Sequence, residues 1–146
     1  MRKSLSSLQN ALLEPEKRYR PSLEESVDWY KYFNKSIFEG KLPKQPIYDF
    51  IFEIAPLKNA WGSTAFYHDE NRMLELQLHE VFPRKRVFLE VLAHEMVHLY
   101  QIVTDGKHDH GQSFWAWKPI LAKHHLGLQT KYYRLKWRRL FPQKLN

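Results

Sequence analysis

PRKRVFLEVLAHEMVHLYQIVTDG, residues 83–106, is the stretch on which the fold turns. Pro83 suits the first position of a helix, where its missing N–H has no intrahelical partner to lose. Asp105-Gly106 closes the run, because glycine readily takes the left-handed conformation that ends many helices. The reading is one long helix from Pro83 to about Val103, too long and too evenly apolar to be a strand. Within it lies His94-Glu95-Met96-Val97-His98, the H-E-x-x-H pattern. Residues four apart share a helix face, so both imidazoles can bind one ion. Neutral imidazole is a good zinc ligand. Glu95 would sit beside the open coordination position. There it takes a proton from a water that the metal has made acidic, as that water attacks a carbonyl. Two structural histidines on a helix are the plain alternative. The apolar neighbours Leu92, Val97 and Leu99 and the stop soon after supply the context that the chemistry needs.

A catalytic zinc usually has three protein ligands and one open position. No Glu follows Glu95, so a downstream glutamate ligand is excluded. The longer pattern H-E-x-x-H-x-x-G-x-x-H also fails, with Gln101 at the glycine position and Thr104 at the last histidine. The remaining candidates are His108, His110, Asp105, Asp109 and the distant His124 and His125. His110 is favoured, since Gly111 lets the chain turn into a helix that Phe114 can anchor in the core. His108 is the runner-up. His124 and His125, beside Lys123, read as surface histidines, and His68 and His79, at strand ends, as bystanders near the cleft.

Upstream, Ser22 and Glu25 have capping-box spacing. Leu23, Val27, Tyr30, Phe33 and Ile37 then follow at helical intervals, and Glu39-Gly40 ends the run, predicting a helix over about 22–38. Pro43 and Pro46 mark a loop. Tyr48, Phe50, Phe52 and Ile54 alternate with Asp49, Ile51 and Glu53, as in a half-buried strand. Residues 61–68 and 72–78 read as two further strands, joined as a hairpin by Asp69-Glu70-Asn71. Downstream, a helical stretch carries Phe114, Trp115 and Trp117, is interrupted or kinked by Pro119, and ends at Gly127. The division is an N-terminal arm at 1–21, one domain at 22–128 and a basic, aromatic extension at 129–146.

The chain has 146 residues, enough for one domain with a real core, and is 43% hydrophobic and 27% charged, as globular chains are. It contains no cysteine, which excludes disulfides and thiolate zinc sites. No signal peptide and no span of roughly 18 apolar residues is legible, so a soluble cytoplasmic protein with no membrane partner is expected. The net charge of +7 is unevenly placed, because no acidic residue follows Asp109. Eight of the 23 basic residues lie after Trp117, which leaves 15 against 16 acidic groups for residues 1–117. The whole positive excess is C-terminal and calls for an anionic partner there.

His94-Glu95-Met96-Val97-His98, followed by His110-Gly111-Gln112-Ser113-Phe114, resembles the SprT-like metalloprotease family. So do Tyr32-Phe33-Asn34, the step Phe38-Glu39-Gly40-Lys41-Leu42-Pro43, Ala60-Trp61-Gly62 and the Leu74-to-Leu78 strand. The resemblance covers about residues 22–126. It implies an α+β, zincin-like fold, with a short antiparallel three-stranded sheet packed on the active-site helix. It also implies Zn2+ held by His94, His98 and His110, with Glu95 as catalytic base. The implied activity is hydrolysis of peptide bonds in proteins bound or crosslinked to DNA. Many members carry a cysteine zinc ribbon after this core, which this chain lacks, so DNA contact must come from elsewhere. Lys131, Arg134, Lys136, Arg138 and Arg139 can neutralise phosphates, and Trp137, with Tyr132 and Tyr133, offers faces for stacking exposed bases of single-stranded or damaged DNA. A DNA-associated location, at the nucleoid, follows from that reading. Two other functions compete: a non-enzymatic nucleic-acid-binding module with structural zinc, and a zinc peptidase that processes one partner protein independently of DNA.

Overall fold

Helix α1, Leu23–Ser36, begins where the Ser22 hydroxyl accepts the Glu25 N–H at 3.0 Å. Only this half of the expected capping box is made, because Glu25 turns to Lys85 instead, 3.6 Å away. The helix buries Trp29, Tyr30 and Phe33 on one stripe. Full burial of such side chains contributes roughly 1.5–3 kcal/mol each. Beyond Ser36 the chain reverses through Glu39 and Gly40, at φ 57° and 76°. Asn34 clamps the returning chain, accepting the Leu42 N–H at 3.0 Å and donating to the Leu42 carbonyl at 3.1 Å. The Tyr30 hydroxyl donates to the carbonyl of Pro43. These contacts give the Phe38-to-Pro43 step its physical content.

The computed structural model describes residues 18–44, 50–67 and 73–130. The arm up to residue 17, Pro46, Tyr48, Asp49, His68, the turn Asp69-Glu70-Asn71 and everything from Lys131 onward, including Arg134, Lys136, Trp137, Arg138 and Arg139, lie outside the described residues. Within them, α1 is followed by β1 (Phe50–Ala55), β2 (Gly62–Phe66), β3 (Leu74–His79), α2 (Lys85–Asp105), α3 (Gln112–Trp115) and α4 (Lys118–Ala122), an α+β arrangement. Before α1, Tyr19 and Phe82 exchange backbone hydrogen bonds of 2.9 and 2.8 Å, which ties the chain ahead of α1 to the entry of α2.

The sheet is mixed, not antiparallel throughout. β2 and β3 pair antiparallel, with Gly62 opposite Leu78, as the hairpin required. β1 instead runs parallel to β3, with Phe50 opposite Leu74, and the strand order is β1-β3-β2. The six residues from Pro56 to Trp61 carry the chain across the width of β3, about 10 Å at the usual strand spacing. That room lets β3 fold back into the middle of the sheet. Its Leu74, Leu76 and Leu78 are buried on one face, while Gln77 donates to Glu53 across the parallel pair at 2.5 Å.

Helix α2 starts two residues later than Pro83 and ends at Gly106, whose φ of 73° is the left-handed cap expected of it. It packs against β2, β3 and α1, and every residue from Val87 to Leu99 is buried. After it, the helical stretch is interrupted at Pro119 as expected, giving two short helices with the proline at the start of α4. The reversal comes at His125, with φ 64°, and not at Gly127. Among the described residues no helix is long and apolar enough to cross a membrane.

Candidate metal centre

His94 and His98 are buried on α2, and His110 approaches them from the exposed loop between α2 and α3. The nitrogens that the three rings offer lie within 4.8 Å of one another, and His98 Nε2 is 3.2 Å from His110 Nε2. A tetrahedral ion with metal–nitrogen bonds of 2.0–2.1 Å keeps its ligands about 3.3–3.4 Å apart, so this edge already has the right length. Among the described residues no other group of three His, Asp or Glu side chains gathers its donor atoms this way. The third member is therefore His110. His108 stays outside the group, exposed, with its ring edge-on to His98 at 4.6 Å. Asp105 and Asp109 are engaged in turns, accepting the N–H of Lys107 and of Gly111, each at 3.0 Å. His124 and His125 lie beyond α4, and buried His79 accepts the Leu57 N–H at 3.2 Å.

The donor set fits a zinc-class ion on its hydrogen bonding as well. His94 Nδ1 lies 2.7 Å from the carbonyl oxygen of Gln129, which can only accept, so Nδ1 carries the proton and Nε2 keeps its lone pair. His98 Nδ1 donates in the same way to Gln101 Oε1 at 2.8 Å. The amide of Gln101 is oriented by its other end, which donates to Ser113 Oγ at 2.8 Å and Asp109 Oδ1 at 3.3 Å. Burial holds the pKa of His94 down at about 3 and that of His98 at about 4. Both rings are thus neutral at pH 7, the form a metal takes.

Gln101 therefore braces two members of the cluster, His98 directly and the His110 loop through Asp109. The sequence marked it only as a departure from the longer zinc pattern, yet it stands one helical turn beyond His98 on the same face. Replacing such a partner costs about 10–100-fold in metal affinity. Gln101→Leu is expected to weaken metal binding by that factor in a chelator competition. Unchanged affinity would show that His98 is oriented without it.

Phe114 is fully buried in α3 and forms the floor of the cluster, its ring 5.0 Å from His94, 5.1 Å from His98 and 4.7 Å from His110. Glu95 is buried between α2 and β2, where the Thr64 hydroxyl donates to its Oε1 at 2.7 Å. Burial pushes its pKa up to about 7, against the opposing pull of that hydroxyl. A Cβ at Gly62 would stand 2.9 Å from Glu95 Cγ and from Val91 Cγ1, so only glycine lets β2 come this close. Thr64 and Gly62 carried no sign of this role beyond their place in a strand.

No curated protein and no solved structure matches the chain. Residues 27–134 match the SprT-like family, a span that holds most of α1, the whole sheet, the histidine cluster and Glu95, and the chain belongs to that family.

Proposed function

We propose that the protein is a zinc-dependent endopeptidase with zincin-like packing of α2 on its sheet, acting on DNA-associated or DNA-crosslinked proteins. The observation that carries this reading is the cluster of three histidines next to a buried glutamate. His94, His98 and His110 would hold the ion. When bound, the ion supplies Lewis acidity toward a substrate carbonyl and makes a nearby water more acidic. Glu95 does the proton work. Thr64 occupies its Oε1, which leaves Oε2 to take a proton from the attacking water and pass it to the amine nitrogen as the peptide bond breaks. Burial raises the proton affinity of this carboxyl above that of a free glutamate, which favours its taking up the proton from the water.

The DNA part of the proposal rests on family membership and on the C-terminal charge. Lys131, Arg134, Lys136, Arg138 and Arg139 would contact phosphates, and Trp137 would stack on an exposed base. Work at DNA in the cytoplasm goes with this reading. The test is zinc content per chain, together with cleavage of a histone-type substrate with and without single-stranded DNA. The expected result is about one zinc per chain and DNA-stimulated cleavage that a chelator stops. Cleavage indifferent to DNA would instead identify a peptidase for a particular partner. One zinc with no cleavage would identify a nucleic-acid-binding module with a structural site.

A further inference from the structure

Glu90 and His94 are one turn apart on the same face of α2, and one short segment of chain crosses both. The N–H of Gly127 donates to Glu90 Oε2 at 2.7 Å, and two residues on the Gln129 carbonyl accepts from His94 Nδ1 at 2.7 Å. Four helical residues advance about 6 Å, a distance that two residues of chain cover when nearly extended. The two bonds therefore fall in step. Leu126 and Leu128 alternate with these contacts and are buried at 2% and 3% exposure. Residues 126–129 form a strap laid along α2.

The strap has an expensive anchor. Glu90 is only 2% exposed, and a buried carboxylate is costly unless it is paired and hydrogen-bonded. Arg86 Nε lies 3.4 Å from Glu90 Oε2, while Arg86 Nη2 donates to the His125 carbonyl at 3.4 Å. The pair thus grips the chain on both sides of Leu126. Gly127 is fitted to this grip, since an added Cβ would stand 3.1 Å from Glu90 Oε2. An apolar residue at position 90 would bury more cheaply, but it could not hold the strap in register.

We infer that Glu90 is a positioning residue for the metal centre. By fixing Gly127 it sets the Gln129 carbonyl on His94 Nδ1, and so fixes the tautomer and tilt of the first histidine ligand. The inference rests on the metal reading of the cluster and adds a residue that belongs to neither the H-E-x-x-H pattern nor the His110 loop. Partners of this kind are worth about 10–100-fold in metal affinity.

The test uses the full chain carrying Glu90→Leu, Glu90→Gln or Gly127→Pro, the last of which removes the N–H donor and brings a Cβ to 3.1 Å from a retained Glu90 carboxylate. Zinc affinity is measured by chelator competition. The Nδ1–H resonances of His94 and His98 are followed by NMR in the zinc-loaded protein. Glu90→Leu and Gly127→Pro are expected to bind zinc about 10–100-fold more weakly, with the His94 resonance shifted or lost and that of His98 retained. Glu90→Gln, which keeps a carbonyl acceptor for Gly127, is expected to stay near wild type. If Glu90→Leu does not fold, Gly127→Pro decides. Wild-type affinity with both resonances in place overturns the positioning role. A wild-type chain that binds no zinc overturns the metal reading itself, and this inference with it.

Discussion

Glu95→Gln is expected to lower the rate of protein cleavage by roughly 10²–10⁴-fold, the usual share of a general base, while zinc content stays unchanged. The substitution is close to isosteric. Its amide oxygen can still accept from the Thr64 hydroxyl, and the side chain still fits against Gly62 and Val91. It removes the proton acceptor and little else. The folded structure should therefore persist, and the loss should appear in kcat/KM with normal metal loading. Cleavage within a few-fold of wild type at full zinc occupancy would sink the assignment of Glu95 as base. A parallel loss of zinc would mean that Glu95 shapes the site and does not act in it.

Phe114→Ala carries the largest expected cost in stability, about 3–5 kcal/mol for emptying a fully buried phenylalanine site. That is a large part of the roughly 5–15 kcal/mol that holds a domain together. The ring touches all three histidines, so its loss also removes the floor that keeps His110 within reach of α2. Urea unfolding of the metal-free chain measures the first effect, and zinc affinity of the folded variant measures the second. A change below about 1 kcal/mol would mean that the pocket collapses around the vacancy.

Much of the site could be read from the sequence because its chemistry is local. His94, Glu95 and His98 lie within two turns of one helix, and helical spacing alone sets them on adjoining faces. His110 was favoured over His108 on the strength of Gly111 beside it and Phe114, four residues on. The partners that hold these groups were not legible, since none is near its target in sequence. Thr64 reaches Glu95 across 31 positions, Gln129 reaches His94 across 35, and Gly127 reaches Glu90 across 37. A threonine in a strand or a backbone carbonyl past a helix gives no sign of where it will arrive. The sheet failed in a similar way. Period-two patterning identified three strands and the hairpin, but alternation is the same in parallel and antiparallel pairs, so it could not tell that β3 would lie between the other two.

The placement of β3 in the centre of the sheet also bears on how the chain folds. Only seven residues separate β2 from β3, whereas 18 separate β1 from β3, with all of β2 among them. Closing the longer loop costs only about 0.8 kcal/mol more, because each doubling of length adds about 0.6 kcal/mol. The time it takes is another matter, since rates fall as contacts join residues further apart in the chain. The hairpin supplies the ready edge on which β1 adds, and the parallel pairing is left as the slower search in forming the sheet.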